Sequence, residues 1–441
     1  MDRHLTGRLL LVLLAALLAW PASADWVVRP VALNLPSLIS ADVVVSGGQV
    51  VVGYSTLGDY RSAPTTLARL GDPLWSYQQL NQNMGATALA TDPQGRLYMA
   101  GTNSQGIVYV GQDLGMWGGL QIGPANQTCF PMASPRLAVN SRGVPAIAMP
   151  NANTSNGSVI YSQFNVPTGT WASETLTTKV SSPFGCALAF DENDHPIVTA
   201  AADSNQITTL VTSRKTDGSW MYSTVGQADM AWGMSMAYDS DRGVAVAYVN
   251  AAQTLCVWTA SQTYNLGVPR YLAPHSLAFD PSGQLILADT DTNGHHAVLT
   301  TMGPAGTSTQ TLPTLPSVSS PWVCANLAFD AQGKPLVLCS NPLWFNYPGA
   351  VALVGQDLPV LMPGDANGDD KVAFDDYLTL EAAFGTASAI PDRADFNLDG
   401  KVDFSDYLIL EANFGRVTAI PEPITLTILA AGLGLLSRRR R

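Results

Sequence analysis

The sequence predicts a mainly β protein, a seven-bladed β-propeller followed by a small all-α module. Three observations lead to this prediction. An apolar tetrad followed by a polar turn recurs seven times between residues 25 and 362. A 21-residue segment then occurs twice near the carboxyl end. Both ends of the chain combine an apolar run with arginines, a pattern typical of targeting segments, so residues 1–24 and 420–441 are set aside from the fold.

The amino-terminal residues 1–24 are predicted to be a signal peptide. Arg3 and Arg8 precede an apolar run over residues 9–18, and Ala22-Ser23-Ala24 gives the small residues of a cleavage site before Asp25. The run is too short to span a bilayer, which needs roughly 20 apolar residues. The sequence therefore predicts export.

Residues 25–362 repeat one strand-turn-strand pattern. The tetrads begin at Val43, Leu89, Leu137, Leu188, Met236, Leu277 and Leu327. The turn residues 48, 95, 143, 194, 243, 283 and 333 that follow them are spaced by 47, 48, 51, 49, 40 and 50 residues. This spacing leaves room for four short strands per repeat, as in propeller blades. Two stacked β-sandwiches would fit the same spacing.

Short segments of these repeats resemble known propeller motifs. The tetrad and its turn resemble NHL-type repeats, and Thr216-Asp217-Gly218-Ser219-Trp220 resembles the Asp-box of sialidase-type propellers. Both resemblances imply a propeller and carry no catalytic residue to this chain. Asp25-Trp26-Val27-Val28 resembles the Trp-led fourth strand of the repeats. The amino terminus is therefore expected to complete the last blade, which would remove an open sheet edge.

Loops at one mouth of the predicted channel offer candidate ligand-binding side chains. Aromatic rings beside amides and carboxylates suit sugars, because the CH faces stack and the hydroxyls form hydrogen bonds. The candidates are Trp232, Trp322, Trp344, Tyr347, Asp203 and Asp289. The aromatic residues could equally be packing residues. Asp203 and Asp289 could be named as a glycosidase pair, but nothing distinguishes them from turn aspartates. The sequence therefore favours a binding role over catalysis and leaves an enzyme as the alternative.

Five cysteines show no metal-binding spacing. Export permits disulfides. If residues 329–334 form a tight hairpin end, Cys324 and Cys339 lie opposite each other on paired strands. The sequence thus predicts one disulfide between them.

The duplicated segment, residues 365–385 and 395–415, begins each time with the spacing of a calcium loop, and 14 of the 21 aligned residues are identical. Alternate oxygen side chains at positions 1, 3, 5, 9 and 12, with the carbonyl at position 7, are the ligands of such loops. They are Asp365, Asn367, Asp369, Lys371 and Asp376 in the first loop, and Asp395, Asn397, Asp399, Lys401, Asp403 and Asp406 in the second. Because Asp370 replaces the usual Gly and Ala373 offers no oxygen, the second of the two calcium sites is expected to be tighter.

Each loop leads into a short helix with an apolar stripe, ended by Gly385 or Gly415. The stripes consist of Tyr377, Leu380 and Phe384, and of Tyr407, Leu410 and Phe414. Each stripe is too small to be buried alone, so the two helices are expected to pack against each other through them. The two halves resemble a type I dockerin over residues 364–415, which implies folding on Ca2+ and docking to a cohesin. The family's hydroxyl pair at positions 10 and 11 is replaced by Phe374-Asp375 and Phe404-Ser405. The partner is therefore expected to be a cohesin-like or other surface protein. A calcium-stabilised spacer is the alternative.

Residues 420–441 resemble a PEP-CTERM sorting signal: Pro421-Glu422-Pro423, an apolar stretch and four terminal arginines. The resemblance implies processing by an exosortase-type enzyme, only transient membrane contact, and delivery to the cell surface or extracellular matrix of a Gram-negative-type bacterium. An ordinary tail anchor is the alternative.

The charge disfavours nucleic acid as a partner. Removing residues 1–24 and 422–441 takes away six basic and two acidic side chains, so the net charge changes from −12 to −16.

Taken together, these features of the sequence predict an exported binding protein whose propeller binds an extracellular polysaccharide or a protein. The alternative is an extracellular carbohydrate-active enzyme, a glycoside hydrolase or lyase, carrying a dockerin.

Overall fold

The computed structural model divides the chain into two compact units. One comprises Met1–Pro359 with Ala389–Pro391, and the other comprises Val360–Ser388 with Asp392–Arg441. The structure describes residues 26–35, 38–56, 64–71, 75–83, 85–102, 108–113, 117–122, 135–151, 158–177, 186–202, 208–214, 217–227, 233–268, 272–273, 275–291, 293–316, 318, 321–341, 349–359, 362–386, 393–397 and 399–417.

In the described part of the first unit, 28 strands form seven four-stranded antiparallel sheets. Sheet 1 contains β2 (Leu38–Ser46), β3 (Gln49–Thr56), β4 (Pro64–Leu70) and β5 (Trp75–Asn83). Sheet 2 contains β6 (Gly85–Thr91), β7 (Leu97–Thr102), β8 (Val108–Asp113) and β9 (Trp117–Ile122). Sheet 3 contains β10 (Arg136–Val139), β11 (Pro145–Asn151), β12 (Ser158–Asn165) and β13 (Thr170–Thr177).

The remaining sheets follow in chain order. Sheet 4 contains β14 (Cys186–Phe190), β15 (Pro196–Ala202), β16 (Thr208–Arg214) and β17 (Trp220–Gln227). Sheet 5 contains β18 (Met234–Asp239), β19 (Gly243–Val249), β20 (Leu255–Thr259) and β21 (Thr263–Gly267). Sheet 6 contains β22 (Leu277–Phe279), β23 (Leu285–Thr290), β24 (His296–Gly303) and β25 (Gly306–Thr314). Sheet 7 contains β26 (Cys324–Phe329), β27 (Pro335–Ser340), β28 (Gly349–Gln356) and β1 (Trp26–Leu35).

The sheets are arranged as a closed ring. The first strands of sheets 1 to 7 contact one another in chain order, and β26 of sheet 7 contacts β2 of sheet 1. The amino-terminal strand β1 pairs with β28, with Trp26 opposite Gln356. This pairing confirms that the amino terminus completes the last sheet. The β-propeller is therefore confirmed, and two stacked sandwiches are excluded because their strands would not close a ring.

The apolar core lies between neighbouring sheets. Between sheets 3 and 4, for example, buried Ala148, Val159 and Tyr161 pack against Cys186 and Val198. The first residue of β17, Trp220, contacts the Tyr161 ring edge-on with a centroid distance of 5.4 Å. Small and large side chains on facing sheets thus fill the space between sheets.

In the last six repeats, the side chain of the residue that ends the tetrad stabilises the polar turn by accepting backbone hydrogen bonds. The Oδ1 atom of Asp330 accepts hydrogen bonds from the amides of Gln332 (2.9 Å) and Lys334 (2.7 Å). Gly333 adopts a φ of +78°, a conformation that glycine tolerates without strain. Asp-x-x-Gly therefore suits this turn geometry, although Asp194 occupies the glycine position of the fourth turn with a φ of +63°.

The predicted register of Cys324 and Cys339, on which their proposed disulfide depends, is wrong. The turn begins at Asp330, whose amide donates to the Lys334 carbonyl, so Phe329 pairs with Pro335. This register differs by one residue from the predicted one. Cys339 lies opposite Ala325, and Cys324 lies opposite Ser340. The two residues are therefore not directly opposite each other, as the prediction required.

The second unit contains two helices, α1 (Phe374–Ala383) and α2 (Phe404–Asn413). Leu380 and Leu410 are buried in its core together with Val372, Val402 and Ala394. The Tyr377 and Tyr407 rings meet edge-on at 6.5 Å. The predicted packing of one helix against the other is thus present. None of the helices in the described part of the chain has the length and apolarity needed to cross a bilayer.

Two members of the predicted helical stripes are not part of this core. Phe384 and Phe414 are 51% and 54% exposed. Each follows the last helical residue and has a ψ of 131°, which is not helical. The helical period of 3.6 residues therefore does not extend to Phe384 and Phe414. The prediction that these two side chains pack between the helices is wrong.

Candidate functional site: paired cation loops

The first loop brings three carboxylates together. Asp365, Asp369 and Asp376 each offer one oxygen, and these oxygens lie within 4.8 Å of one another. Asp365 and Asp376 are buried, whereas Asp369 is exposed. The predicted ligands at positions 1, 5 and 12 thus converge on one point.

Backbone amides hold the two buried carboxylates in place. The amides of Ala366 and Asn367 donate to Asp376 Oδ1 at 2.8 and 3.1 Å, and the amide of Ala373 donates to Oδ2 at 2.7 Å. Asp365 accepts from the amides of Gly368 (2.6 Å) and Asp370 (2.9 Å). Because backbone amides of the loop donate hydrogen bonds to these oxygens, the backbone conformation fixes the oxygen positions and restricts rotation of the side chains.

The second loop repeats the network. The amides of Phe396 and Asn397 donate to Asp406 Oδ1 at 2.7 and 3.2 Å, and the amide of Asp403 donates to Oδ2 at 2.9 Å. Asp395 accepts from the amides of Asp399 (3.1 Å) and Gly400 (2.9 Å). Both Asp395 and Asp406 are buried. The carboxylates at positions 1 and 12 are therefore held by equivalent backbone amides in both copies of the repeat.

The asparagines at position 3 and the aspartates at position 5 accept backbone hydrogen bonds in the middle of each loop. Asn367 and Asn397 accept from the amides of Asp369 and Asp399, each at 2.9 Å. The amides of Lys371 and Lys401 donate to Asp369 and Asp399. The predicted use of the Lys371 and Lys401 carbonyls as ligands stays a prediction.

The loops differ at two positions that the sequence singles out. Asp370 adopts a φ of +65° and its counterpart Gly400 a φ of +85°, so the backbone at position 6 is left-handed in both. At position 9, Asp403 Oδ1 accepts from the Ser405 amide at 2.8 Å at the start of α2, whereas Ala373 provides no such side-chain cap.

Burial raises the pKa of the Asp365 and Asp395 carboxyl groups, so both resist ionisation in the absence of a cation. Burial is the largest factor that raises the pKa of Asp365, and Asp376 adds to it. The pKa of Asp395 is raised to about 6, first by burial and then by the neighbouring Asp406 and Asp399. Converging carboxylate oxygens with amide-fixed positions fit a hard divalent cation such as Ca2+, whose charge would offset this repulsion.

Large apolar side chains are exposed at matching positions of the two halves. Phe374 and Phe404 are each 62% exposed and stack on Tyr377 and Tyr407 at centroid distances of 5.8 and 5.6 Å. Leu378 and Leu408 are each 48% exposed. The sequence identified the two phenylalanines as unusual, but it did not identify these leucines. Their exposure follows only from the helix packing, in which Leu380 and Leu410 face the core.

The structure describes two of the six ligand-binding candidates on the propeller. Trp322 is buried, and its indole donates to the Pro316 carbonyl at 3.0 Å, which fits the packing interpretation. Asp289 lies on β23 and accepts from the Thr290 amide at 2.7 Å. Trp232, Trp344, Tyr347 and Asp203 lie outside the described residues, as do the signal peptide and Pro421, Glu422 and Pro423.

Comparison with known proteins gives a family match for the second unit. Residues 363–415 match the model described as the dockerin type I domain. A search of curated proteins found no match to the chain.

Solved structures resemble the propeller at low identity. A mutant of the Aleuria aurantia lectin in complex with alpha-methyl-L-fucoside shares 12% identity, with a TM-score of 0.43, over 65% of this chain and 99% of its own. The propeller domain of the Trilobed protease from Pyrococcus furiosus shares 10%, with a TM-score of 0.45, over 74% and 98%. Polysaccharide lyase Uly1 shares 8%, with a TM-score of 0.43, over 74% and 91%. Similarity at this level carries no inference about ligand or activity.

Proposed function

We propose that this chain, whose residues 363–415 are a dockerin type I domain, is an exported binding protein that docks through calcium and carries a glycan-binding propeller. The observation that supports this most directly is the duplicated carboxylate network. Two loops with the same amide-held oxygens are suited to two Ca2+ ions, and we expect the second to bind more tightly.

Calcium acts in this proposal by permitting the second unit to fold. Its apolar core is small, and each loop holds buried carboxylates that repel one another. Binding a divalent cation to the folded state alone stabilises that state. Docking therefore requires calcium because the helices need it to pack.

The exposed phenylalanines and leucines of the two halves are the proposed contacts with a cohesin-type partner. Aromatic side chains contribute strongly to the buried centres of protein interfaces. Phe374 and Phe404 replace the hydroxyl residues usual in the family, so we propose a cohesin-like or other surface protein with a more apolar binding face.

The terminal segments support export to the cell surface or extracellular matrix. The signal peptide directs the chain out of the cytoplasm, and the tail around Pro421-Glu422-Pro423 is proposed to be processed by an exosortase-type enzyme in a Gram-negative-type bacterium. An acidic mature chain is compatible with an extracellular polysaccharide matrix and unsuited to nucleic acid.

Native mass spectrometry of the mature protein tests the calcium sites. We expect two Ca2+ ions per chain, one after Asp365→Ala or Asp395→Ala, and a loss of helical circular dichroism when a chelator removes the metal. Absence of stoichiometric metal uptake would contradict the proposal.

Docking is tested by retention of the mature protein on immobilised cell-surface material. We expect retention in calcium, its loss in chelator, and its loss in the double variant Phe374→Ser/Phe404→Ser. The control is Val268→Ser, because Val268 is 59% exposed on the propeller and should not matter. Equal retention of both variants would show that the phenylalanines are not the docking contacts.

A further inference from the structure

The two cation loops differ in the residue that follows their asparagine ligand. Asn367 at position 3 of the first loop precedes Gly368, whereas its counterpart Asn397 precedes Leu398. An asparagine followed by glycine is chemically labile, because glycine has no side chain to hinder attack of its backbone nitrogen on the asparagine amide. The loops therefore offer the same ligand at position 3 but differ in its chemical stability.

The reaction of such a pair is an intramolecular deamidation. The backbone nitrogen of Gly368 attacks the side-chain carbon Cγ of Asn367, gives up its proton and expels ammonia, which closes a succinimide ring. Water then opens the ring at either carbonyl and leaves aspartate or isoaspartate. The reaction consumes only water, and its net change is the replacement of an amide group by a carboxyl group.

Hydrogen bonds of the folded loop hold both reacting groups. The Gly368 amide donates to Asp365 Oδ1 at 2.6 Å. The Asn367 side chain accepts from the Asp369 amide at 2.9 Å, and its Nδ2 donates to Asp375 Oδ2 at 2.6 Å. Ring closure requires the nitrogen to leave Asp365 and the side chain to break these two bonds. Deamidation therefore requires the loop to open.

The population of the open loop depends on calcium in the proposed function. The cation is proposed to bind among Asp365, Asp369 and Asp376, whose carboxylate oxygens lie within 4.8 Å of one another. A cation that binds only the closed loop lowers the population of the open loop. Without the cation, repulsion between these carboxylates favours opening. The rate of deamidation at Asn367 should therefore depend on calcium.

Isoaspartate at this position is incompatible with the loop. It routes the main chain through the former side-chain carbon, so one more carbon atom enters the backbone between positions 3 and 4. The amides of Gly368 and Asp370, which follow this point, both donate to the Asp365 carboxylate. A longer backbone displaces these amides and changes the spacing of the ligands at positions 1, 3 and 5.

We propose that Asn367 is a modification site: the open, calcium-free first loop deamidates there, and the isoaspartate product no longer binds calcium at that loop. The second loop keeps its asparagine because the Leu398 side chain hinders ring closure. This inference rests on the proposed calcium-dependent folding of the second unit. It adds that prolonged loss of calcium inactivates the first loop by a step that returning calcium does not reverse.

Peptide mass mapping of the mature protein, after incubation in calcium or in chelator, tests the inference. We expect deamidation at Asn367 to be at least about tenfold faster in chelator, because the rate follows the population of the open loop. Asn293 in the propeller is the internal control, since it also precedes a glycine, Gly294, but belongs to neither cation loop. Its rate should not change with calcium. Equal rates at Asn367 in the two conditions overturn the inference.

Two matched variants test the role of the following residue. In chelator, deamidation at Asn367 should slow in Gly368→Ala, and deamidation at Asn397 should become fast in Leu398→Gly. Neither comparison needs a folded second unit, because both are made in the absence of calcium. If Asn397 in Leu398→Gly remains as stable as in the unchanged protein, the assignment of the lability to the following glycine is wrong.

Calcium titration after the incubation measures the consequence for the first loop. We expect protein with isoaspartate at residue 367, located by enzymatic methylation and peptide mapping, to bind one Ca2+ ion when calcium is restored. Protein kept in calcium should bind two. Two sites of unchanged affinity in the isoaspartate form overturn the inactivation of the loop.

The outcomes separate this inference from the proposed function. If fresh protein binds no calcium, the proposed calcium-dependent docking fails, and the inference fails with it. If fresh protein binds two ions but Asn367 deamidates at the same rate with and without calcium, only the inference fails.

Discussion

Asp370 has a backbone conformation that its counterpart Gly400 adopts without strain. Its φ of +65° lies in the left-handed region, which is unfavourable for residues with a Cβ. Together with Ala373, which lacks the oxygen that Asp403 offers at position 9, this residue gives a physical reason for unequal calcium sites.

We expect Asp370→Gly to strengthen calcium binding at the first loop, by roughly 1 kcal/mol, because the strain at position 6 disappears. Calcium titration calorimetry of the mature protein measures this effect. The reciprocal change Gly400→Asp is the control and should weaken the second loop. If neither change alters its site, backbone strain does not rank the two loops.

The raised pKa of Asp395 predicts a pH dependence. The carboxyl group must lose its proton to bind a cation, so the affinity of the second loop should fall as the pH decreases through about 6, approaching tenfold per pH unit. In the calcium-free protein, the pH dependence of stability has the opposite sign. Because the pKa of Asp395 is raised in the folded state, this residue stabilises the fold at a pH below its unfolded pKa. The contribution is lost as the pH rises through about 6.

Calcium titrations at pH 5, 6 and 7 measure this dependence, with thermal unfolding of the calcium-free protein beside them. The second loop should bind weakly at pH 5, and the calcium-free second unit should be most stable at acidic pH. An affinity that is the same at pH 5 and pH 7 would contradict the assignment of Asp395 as a ligand.

At the scale of secondary structure, each helix of the second unit uses one leucine for its core and presents another to solvent. Leu380 and Leu410 are 2% exposed, whereas Leu378 and Leu408, two residues earlier in each helix, are 48% exposed. A helix of ten residues buries too little surface to be stable alone, so these contacts keep α1 and α2 folded.

We expect Leu380→Ala to destabilise the calcium-loaded second unit by about 2–5 kcal/mol, because it leaves a cavity in a small core. The matched control, Leu378→Ala, removes the same atoms from an exposed position and should change the stability by less than about 0.5 kcal/mol. Unfolding by denaturant, followed by circular dichroism in calcium, measures both. Similar effects of the two variants would show that the packing differs from that described.

For the molecule as a whole, closure of the propeller depends on the amino-terminal strand. β1 contributes buried Val31, Ala32 and Leu33 and supplies the fourth strand of sheet 7 through its pairing with β28. Without it, β28 would be an open edge, and unpaired strand edges promote association.

We therefore expect a mature protein shortened to begin at residue 36 to unfold at a lower temperature and to associate. A protein that begins at residue 26 is the control, because it keeps the whole of β1. Size-exclusion chromatography and thermal unfolding compare the two. Equal stability and a monomeric shortened protein would contradict closure by β1.

Much of the propeller could be predicted from local sequence. The Asp-x-x-Gly turns follow from side-chain hydrogen bonds within five residues, as at Asp330, and they recur at a regular spacing. The register at Cys339 could not be predicted, because it depends on whether Asp330 closes the turn, and one residue changes which side chains share a face. Phe384 was misplaced for a related reason: helical periodicity does not reveal the residue at which the helix ends.

The sequence by itself determined the positions of the calcium-loop carboxylates, because a cation loop is a local structure whose ligands lie within twelve residues. Only the tertiary structure brought Asp42 and His275 together, since 233 residues separate them and nothing local connects the two. The sequence shows a polar residue before most tetrads, but the contacts of that residue depend on how the first strands of different sheets meet. Contacts made across a closed ring are set by packing, which sequence spacing does not encode.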